Sequence, residues 1–327
     1  MMKVAIFSTQ SYDKQFFDLV NTDFGHELVF LEPVLNAKTA ILAKGCQAVC
    51  VFVNDLVDAD TLKVLHDSGI TTLVLRCAGF NQIDLETAKG FGINVFRVPS
   101  YSPEAVAEHA VAMIMTLNRK THKAYNRIRE GNFSLERLIG FNLSGKKAGL
   151  IGLGQIGLAF ARIMQGFGTE VLAYDPVVKD VPSYIQLVEY DTLISTVDII
   201  SIHCPLNEHT RHMVDRQSFE KMKDGVMLIN TSRGAILDSS DAIEALKAGK
   251  LGYLGIDVYE QEDKLFFRDL SESLIADEQI LRLMSFPNVL ITAHQGFFTN
   301  EALTEIAHTT LQNLSDAQSG INNQNKL

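Results

Sequence analysis

Short apolar runs alternate with longer stretches in which apolar side chains recur every three or four positions, from residue 3 almost to the end of the chain. Compact apolar runs mark strands, and three-to-four spacing marks helices that bury one face. Runs at 3–7, 27–31, 48–53, 72–76 and 94–97 predict five strands in the first hundred residues, separated by helical segments. A second series at 147–151, 170–174, 198–203, 226–230, 253–258 and 288–292 predicts about six more. Strands alternating with helices argue for an α/β fold with parallel, doubly wound sheets. The clearest punctuation is Val98-Pro99-Ser100-Tyr101-Ser102-Pro103, where two prolines stop one element and start the next with Ser102 as cap. A domain junction is expected there. From Pro103 the helical pattern continues to Gly131, which at 1.5 Å per residue predicts one helix of roughly 40 Å. Its first half, 105–117, is apolar on most faces and predicts burial between domains or subunits, hence at least a dimer. Its second half carries Arg119, Lys120, Lys123, Arg127 and Arg129, a solvated face at the negative end of the helix dipole. Residues 300–314 read as an amphipathic helix returning to the first domain, and 319–327 as a polar, disordered tail.

With 327 residues and 46% hydrophobic content the chain exceeds the size at which single cores usually stop growing, so two domains are expected. Its 29 basic residues against 39 acidic ones give a net charge of −10, which argues against nucleic acid or an anionic membrane as partner. No run of about 18 apolar residues offers a membrane span. The four cysteines, Cys46, Cys50, Cys77 and Cys204, form no metal-binding pattern. Cys46 and Cys50, four apart in a helix-like apolar stretch, read as two buried side chains. Reduced thiols in the cytoplasm and no bound metal are the expectation.

Gly152-Leu153-Gly154-Gln155-Ile156-Gly157 stands between a predicted strand and a predicted helix. Glycines there let the backbone turn sharply and approach a pyrophosphate, which the N–H groups of the helix start attract. Asp175, at the end of the next predicted strand, stands about where an acidic residue would bond an adenosine ribose 2′-OH and repel a 2′-phosphate. The turn alone also fits a ligand-free strand-to-helix connection or another nucleoside binder. Arg76-Cys77-Ala78-Gly79-Phe80-Asn81 follows a strand end as well, where backbone amides could face a ligand or simply turn the chain.

Three chemically able residues follow the last three predicted strands: Arg233, Glu262 and His294. Carboxyl ends of parallel strands share one edge of a sheet, so the three can converge. An arginine fork pairs both oxygens of a carboxylate, a histidine gives or takes a proton near neutral pH, and a glutamate beside it can favour the charged ring. With a nicotinamide in the glycine turn, that set suits reduction of a 2-keto acid. Singly, each has a plain structural explanation. His203 reads as a packed histidine beside the cofactor, and His109 as a satisfied core residue.

At these residues, and at Tyr101 through His109, Asn230-Thr231-Ser232-Arg233-Gly234, Asp257-Val258-Tyr259-Glu260 and His294-Gln295-Gly296-Phe297, the sequence resembles the D-2-hydroxyacid dehydrogenase family, from the first strand to about Gly320. The likeness is closest to its fermentative, NAD-dependent branch acting on pyruvate and D-lactate. It implies Arg233 as carboxylate binder, His294 as general acid/base and Glu262 as its partner. It implies substrate contacts at Arg76, Ala78, Gly79 and Tyr101. It places NAD against Gly152, Gly154, Gln155, Ile156, Gly157, Asp175, Cys204, Pro205, Thr231, Ser232 and Asp257. The fold it implies is a Rossmann NAD domain, 100–297, inserted in a discontinuous flavodoxin-like substrate domain, 1–99 plus 298–327, with the active site in an interdomain cleft. Homodimers or homotetramers are expected. A bulkier 2-keto acid, or an NADH-sensing role without turnover, remain alternatives at this point.

Overall fold

The computed structural model describes residues 1–327, apart from the side chain of Lys264. The chain divides into two compact units, Met1–Ser102 with Phe298–Leu327, and Pro103–Phe297.

The first unit holds five parallel strands: β1 (Lys3–Ile6), β2 (Glu27–Phe30), β3 (Ala48–Val51), β4 (Thr72–Leu75) and β5 (Asn94–Phe96), in the order β2-β1-β3-β4-β5. Every residue of β3 and β4 is buried, as expected for parallel strands covered on both faces. The helix Asn300–Gln318 belongs to this unit and lays Ala307, Leu311 and Leu314 on the core formed by Val4, Ile6 and Val74. The tail beyond it is not disordered. Asn313, fully buried, accepts hydrogen bonds from the side-chain amides of Asn323 and Asn325, and Arg97 and Leu327 bond through their N–H groups to the carbonyls of Asn325 and Val95. The polar composition that suggested disorder supplies the hydrogen bonds that seat the tail beside β5. Cys46 and Cys50 are buried and unpaired, with Cys50 in β3 rather than on a helix face.

The second unit holds seven parallel strands, one more than the sequence pattern predicts: β6 (Lys147–Ile151), β7 (Glu170–Tyr174), β8 (Ile185–Leu187), β9 (Ile199–Ile202), β10 (Val226–Asn230), β11 (Leu251–Ile256) and β12 (Val289–Ile291). The missed strand, β8, is a three-residue edge strand too short to show a period. The order β12-β11-β10-β9-β6-β7-β8 reverses direction between β6 and β9, the switch point at which open α/β sheets bind ligands. Aspartates cap several helices by accepting a backbone N–H three residues on, among them Asp215 from Ser218 and Asp238 from Asp241.

The expected single helix from Pro103 is two, Pro103–Arg119 and Thr121–Arg129. Lys120 takes a left-handed conformation (φ 51°, ψ 36°), which ends the first helix. Much of the apolar half of the first helix is buried within its own unit. Ala107, Ala110, Met113, Ile114 and Leu117 pack within the second unit, in one core with Ala159, Phe160 and Met164 of the helix Gln155–Gly166.

Candidate active site

The glycine turn follows β6. Gly152 has a φ of +99°, and a Cβ there would lie 2.7 Å from the Cys204 nitrogen, so the turn packs bare backbone against the end of β9. At Gly157 a Cβ would come within 2.3 Å of the Gly152 carbonyl, so the helix starts directly over the turn. Gly154, which precedes the helix, has nothing within 4 Å of its Cβ position and leaves that approach open. Asp175, just past β7, accepts the Leu153 N–H at 2.8 Å through Oδ2 and those of Val177 and Val178 through Oδ1. Burial pushes its carboxyl up, but these three donors outweigh it and hold it below the usual carboxylate range. At the ends of β9 and β10, Ser232 donates its hydroxyl to the Cys204 carbonyl, and burial pushes the Cys204 thiol up to about 11. Pro205 is exposed, while Thr231 is buried with an Oγ1 that has no partner among the described residues.

Three adjacent strands, β10, β11 and β12, deliver the other candidates at one edge. Arg233 follows β10, its Nη1 on the Ser232 carbonyl at 2.7 Å, and Asn230 Nδ2 holds the Arg233 carbonyl. Gly234 next to it lies against the Tyr259 backbone so tightly that a Cβ would meet the Tyr259 carbonyl carbon at 2.1 Å. Glu262 opens a short 3-10 turn beyond β11 and divides its carboxylate: Oε2 accepts the Tyr259 N–H, and Oε1 pairs with His294 Nδ1, both at 2.8 Å. His294 follows β12 with a φ of +52° and is 16% exposed, so the ring is sheltered but reachable. Its Nε2 has no protein partner among the described residues. Glu262 and His294, 32 positions apart in sequence, are thus brought into direct contact.

The sequence model of the D-isomer specific 2-hydroxyacid dehydrogenase NAD binding domain matches residues 111–296, more than half of the chain. This chain belongs to the D-isomer specific 2-hydroxyacid dehydrogenases. D-lactate dehydrogenase of Escherichia coli K12 is 52% identical over 328 residues, covering 100% of both chains. Among solved structures, the apo form of the Escherichia coli D-lactate dehydrogenase superimposes with a TM-score of 0.91 at 49% identity, covering 100% of each chain. A pyruvate reductase of Chlamydomonas reinhardtii gives a TM-score of 0.93 at 42% identity, covering 99% of this chain and 98% of the other.

The second unit of this 2-hydroxyacid dehydrogenase is therefore an NAD-binding domain, and its residues fit that cofactor. The open approach at Gly154, the start of the helix Gln155–Gly166 and the unpartnered Thr231 hydroxyl offer a pyrophosphate and polar groups the donors they need. Asp257 lies just past the end of β11. Its carboxylate is 2% exposed and accepts from Thr292, Gln295 and Gly296, so in this structure it is taken up by the loop that carries His294.

Arg76 is corrected. Its guanidinium is buried under the Phe52 ring and donates to Asp13 and to the carbonyls of Phe7 and Ser8, so its side chain braces the ends of β1 and β4 rather than meeting substrate. Such a role is invisible in sequence because Asp13 lies 63 positions away. Ala78 and Gly79 are different: Arg97 holds the Ala78 carbonyl, and neither N–H has a protein acceptor among the described residues. Tyr101 is half-buried. The His203 ring lies tilted against Phe160, its Nε2 has no partner among the described residues, and desolvation pushes its pKa down to about 3.

Proposed function

We propose that this dehydrogenase is a cytoplasmic, NAD-dependent D-lactate dehydrogenase that works as a pyruvate reductase. The contact that carries the reading is the 2.8 Å pair of His294 Nδ1 with Glu262. It fixes the tautomer and orientation of the imidazole and leaves Nε2 to deliver a proton. Arg233 binds the substrate carboxylate with its planar fork, and the free N–H groups of Ala78 and Gly79 are further carboxylate ligands. Tyr101 lies against the substrate methyl. The first unit is thus the substrate domain. Gly152, Gly154, Gln155, Ile156 and Gly157 cradle the cofactor pyrophosphate, Asp175 faces the ribose, and Cys204, Pro205, Thr231 and Ser232 line the rest. Bound there, NADH supplies the hydride that reduces the keto carbon. His294 gives its Nε2 proton to the keto oxygen, which becomes the hydroxyl of D-lactate, and Glu262 holds the ring throughout. High identity to enzymes named for D-lactate and pyruvate supports the substrate.

Oligomers, dimers or tetramers, are part of the same reading. Phe133, Leu135 and Ile139 are 74–83% exposed, an apolar arm that a second copy of the chain would cover. Initial rates of NADH oxidation across pyruvate, phenylpyruvate, 2-ketoisocaproate and hydroxypyruvate test the assignment. Pyruvate is expected to give the highest kcat/KM. Preference for a bulky acid overturns the substrate, and no oxidation with any of the four would point to an NADH sensor.

A further inference from the structure

We infer that His109 is a positioning residue for the His294 loop, acting through Thr292 and Asp257. The inference rests on His294 being the proton donor. His294 has a positive φ, a backbone state that an L side chain resists, so something must hold it. Asp257 does so from the end of β11. Its carbonyl accepts the His294 N–H at 2.7 Å, Oδ1 accepts the Gln295 N–H at 2.9 Å, and Oδ2 accepts the Gly296 N–H at 2.8 Å. The Asp257 carboxyl is buried, which pushes it up, but the contacts from His109 and Thr292 and these amides hold it down at about 2.

Proton counting then orients the rest. A carboxylate only accepts, so the single hydroxyl proton of Thr292 goes to Asp257 Oδ1. His109 Nε2, 3.1 Å from Thr292 Oγ1 and 3.3 Å from Asp257 Oδ1, must therefore carry a proton and donate to both. Gly296 adds an independent sign that the loop is seated on this pair: a Cβ there would lie 3.1 Å from Asp257 Oδ2 and 3.6 Å from His109 Cδ2. His109 comes from the helix Pro103–Arg119, which is packed into the core of its unit. The loop is thus anchored to a rigid element rather than to another loop.

The test compares His109→Leu, which deletes the donor, with His109→Gln, which keeps an N–H near the same place. Two readouts are taken: amide hydrogen exchange across 292–297 in the chain without cofactor, and kcat with KM for NADH and pyruvate. In His109→Leu, exchange at Gln295 and Gly296 should rise by about tenfold while the strands of the same unit stay protected. Turnover should fall by about tenfold with KM for NADH unchanged, and His109→Gln should restore most of both. Unchanged exchange, a kcat loss without faster exchange, faster exchange without a kcat loss, general deprotection of the unit, or a glutamine variant as poor as leucine would each overturn the inference. If His294→Gln itself retains turnover, the proton-donor reading has failed instead, and exchange alone still reports whether His109 holds the loop.

Discussion

His294 and Glu262 form a directly bonded pair. The carboxylate divides between the ring and the Tyr259 N–H, so it cannot swing away without breaking two bonds. Replacing His294 with Gln keeps a polar group of similar reach but removes proton transfer, and turnover should drop by roughly 10²–10⁴-fold. NADH binding, followed by fluorescence, should stay nearly intact, and a near-normal rate would remove His294 from the mechanism. Arg233→Lys keeps the charge and loses the fork, so KM for pyruvate should rise by roughly tenfold or more. An unchanged KM and kcat would refute the carboxylate role. The Asp175 carboxylate supports the Leu153 N–H of the glycine turn, and the proposed ribose contact would be a second duty. NADH should be used far better than NADPH. Asp175→Ala should narrow that preference while also lowering NADH efficiency, because three backbone donors lose their acceptor. Equal use of both cofactors by the unaltered enzyme would dismiss the ribose contact.

At the scale of elements, the tail beside β5 is a contact that composition concealed. Removing residues 321–327 strips the Arg97 and Leu327 backbone bonds and leaves buried Asn313 Oδ1 without its two donors. The first unit should lose about 1–3 kcal/mol, read as a lower urea midpoint, and an unchanged midpoint would mean that the tail adds nothing. What was legible before the structure were elements with a strong period or strong punctuation: the fully buried strands, the proline-flanked junction, and the glycine turn with Asp175. What stayed hidden depends on partners far away in sequence. The break at Lys120 is made by one left-handed residue with no glycine to announce it. Arg76 sits where a strand-end ligand was expected and is instead claimed by Asp13. Asp257 was noticed, but nothing local could show that three residues of the 292–296 loop bond to its carboxylate. His109 appeared to be an ordinary core histidine because its partners are 148 and 183 positions on.

At the scale of the whole molecule, buried groups set the response to acid. Burial disfavours the charged form of a histidine, and three respond to it: His203 after β9, His26 before β2 and the half-buried His122 on the helix Thr121–Arg129. Burial lowers the pKa of His203 to about 3, and desolvation also lowers His26 and His122. A histidine held neutral in the folded state gains its proton on unfolding once pH falls below about 6.5. Between that value and the folded pKa the unfolded chain binds more protons, so stability must fall as pH falls. Asp257 has the same sign in a lower window. Its carboxyl is held at about 2 in the fold, so its contribution is complete above the ordinary carboxylate value and is lost as pH drops from there through 2. The two windows can be separated. Urea midpoints measured from pH 7.5 downward should decline first below about 6.5, well before carboxylates titrate. His203→Leu removes the largest of the histidine contributions, and its curve should be flatter between pH 6.5 and 4 than that of the unaltered enzyme. The two curves should run parallel below pH about 3, the folded value of His203, where Asp257 continues to act. Parallel curves across the whole range would mean that His203 is hydrated in solution, and the acid response would then belong to the carboxylates alone.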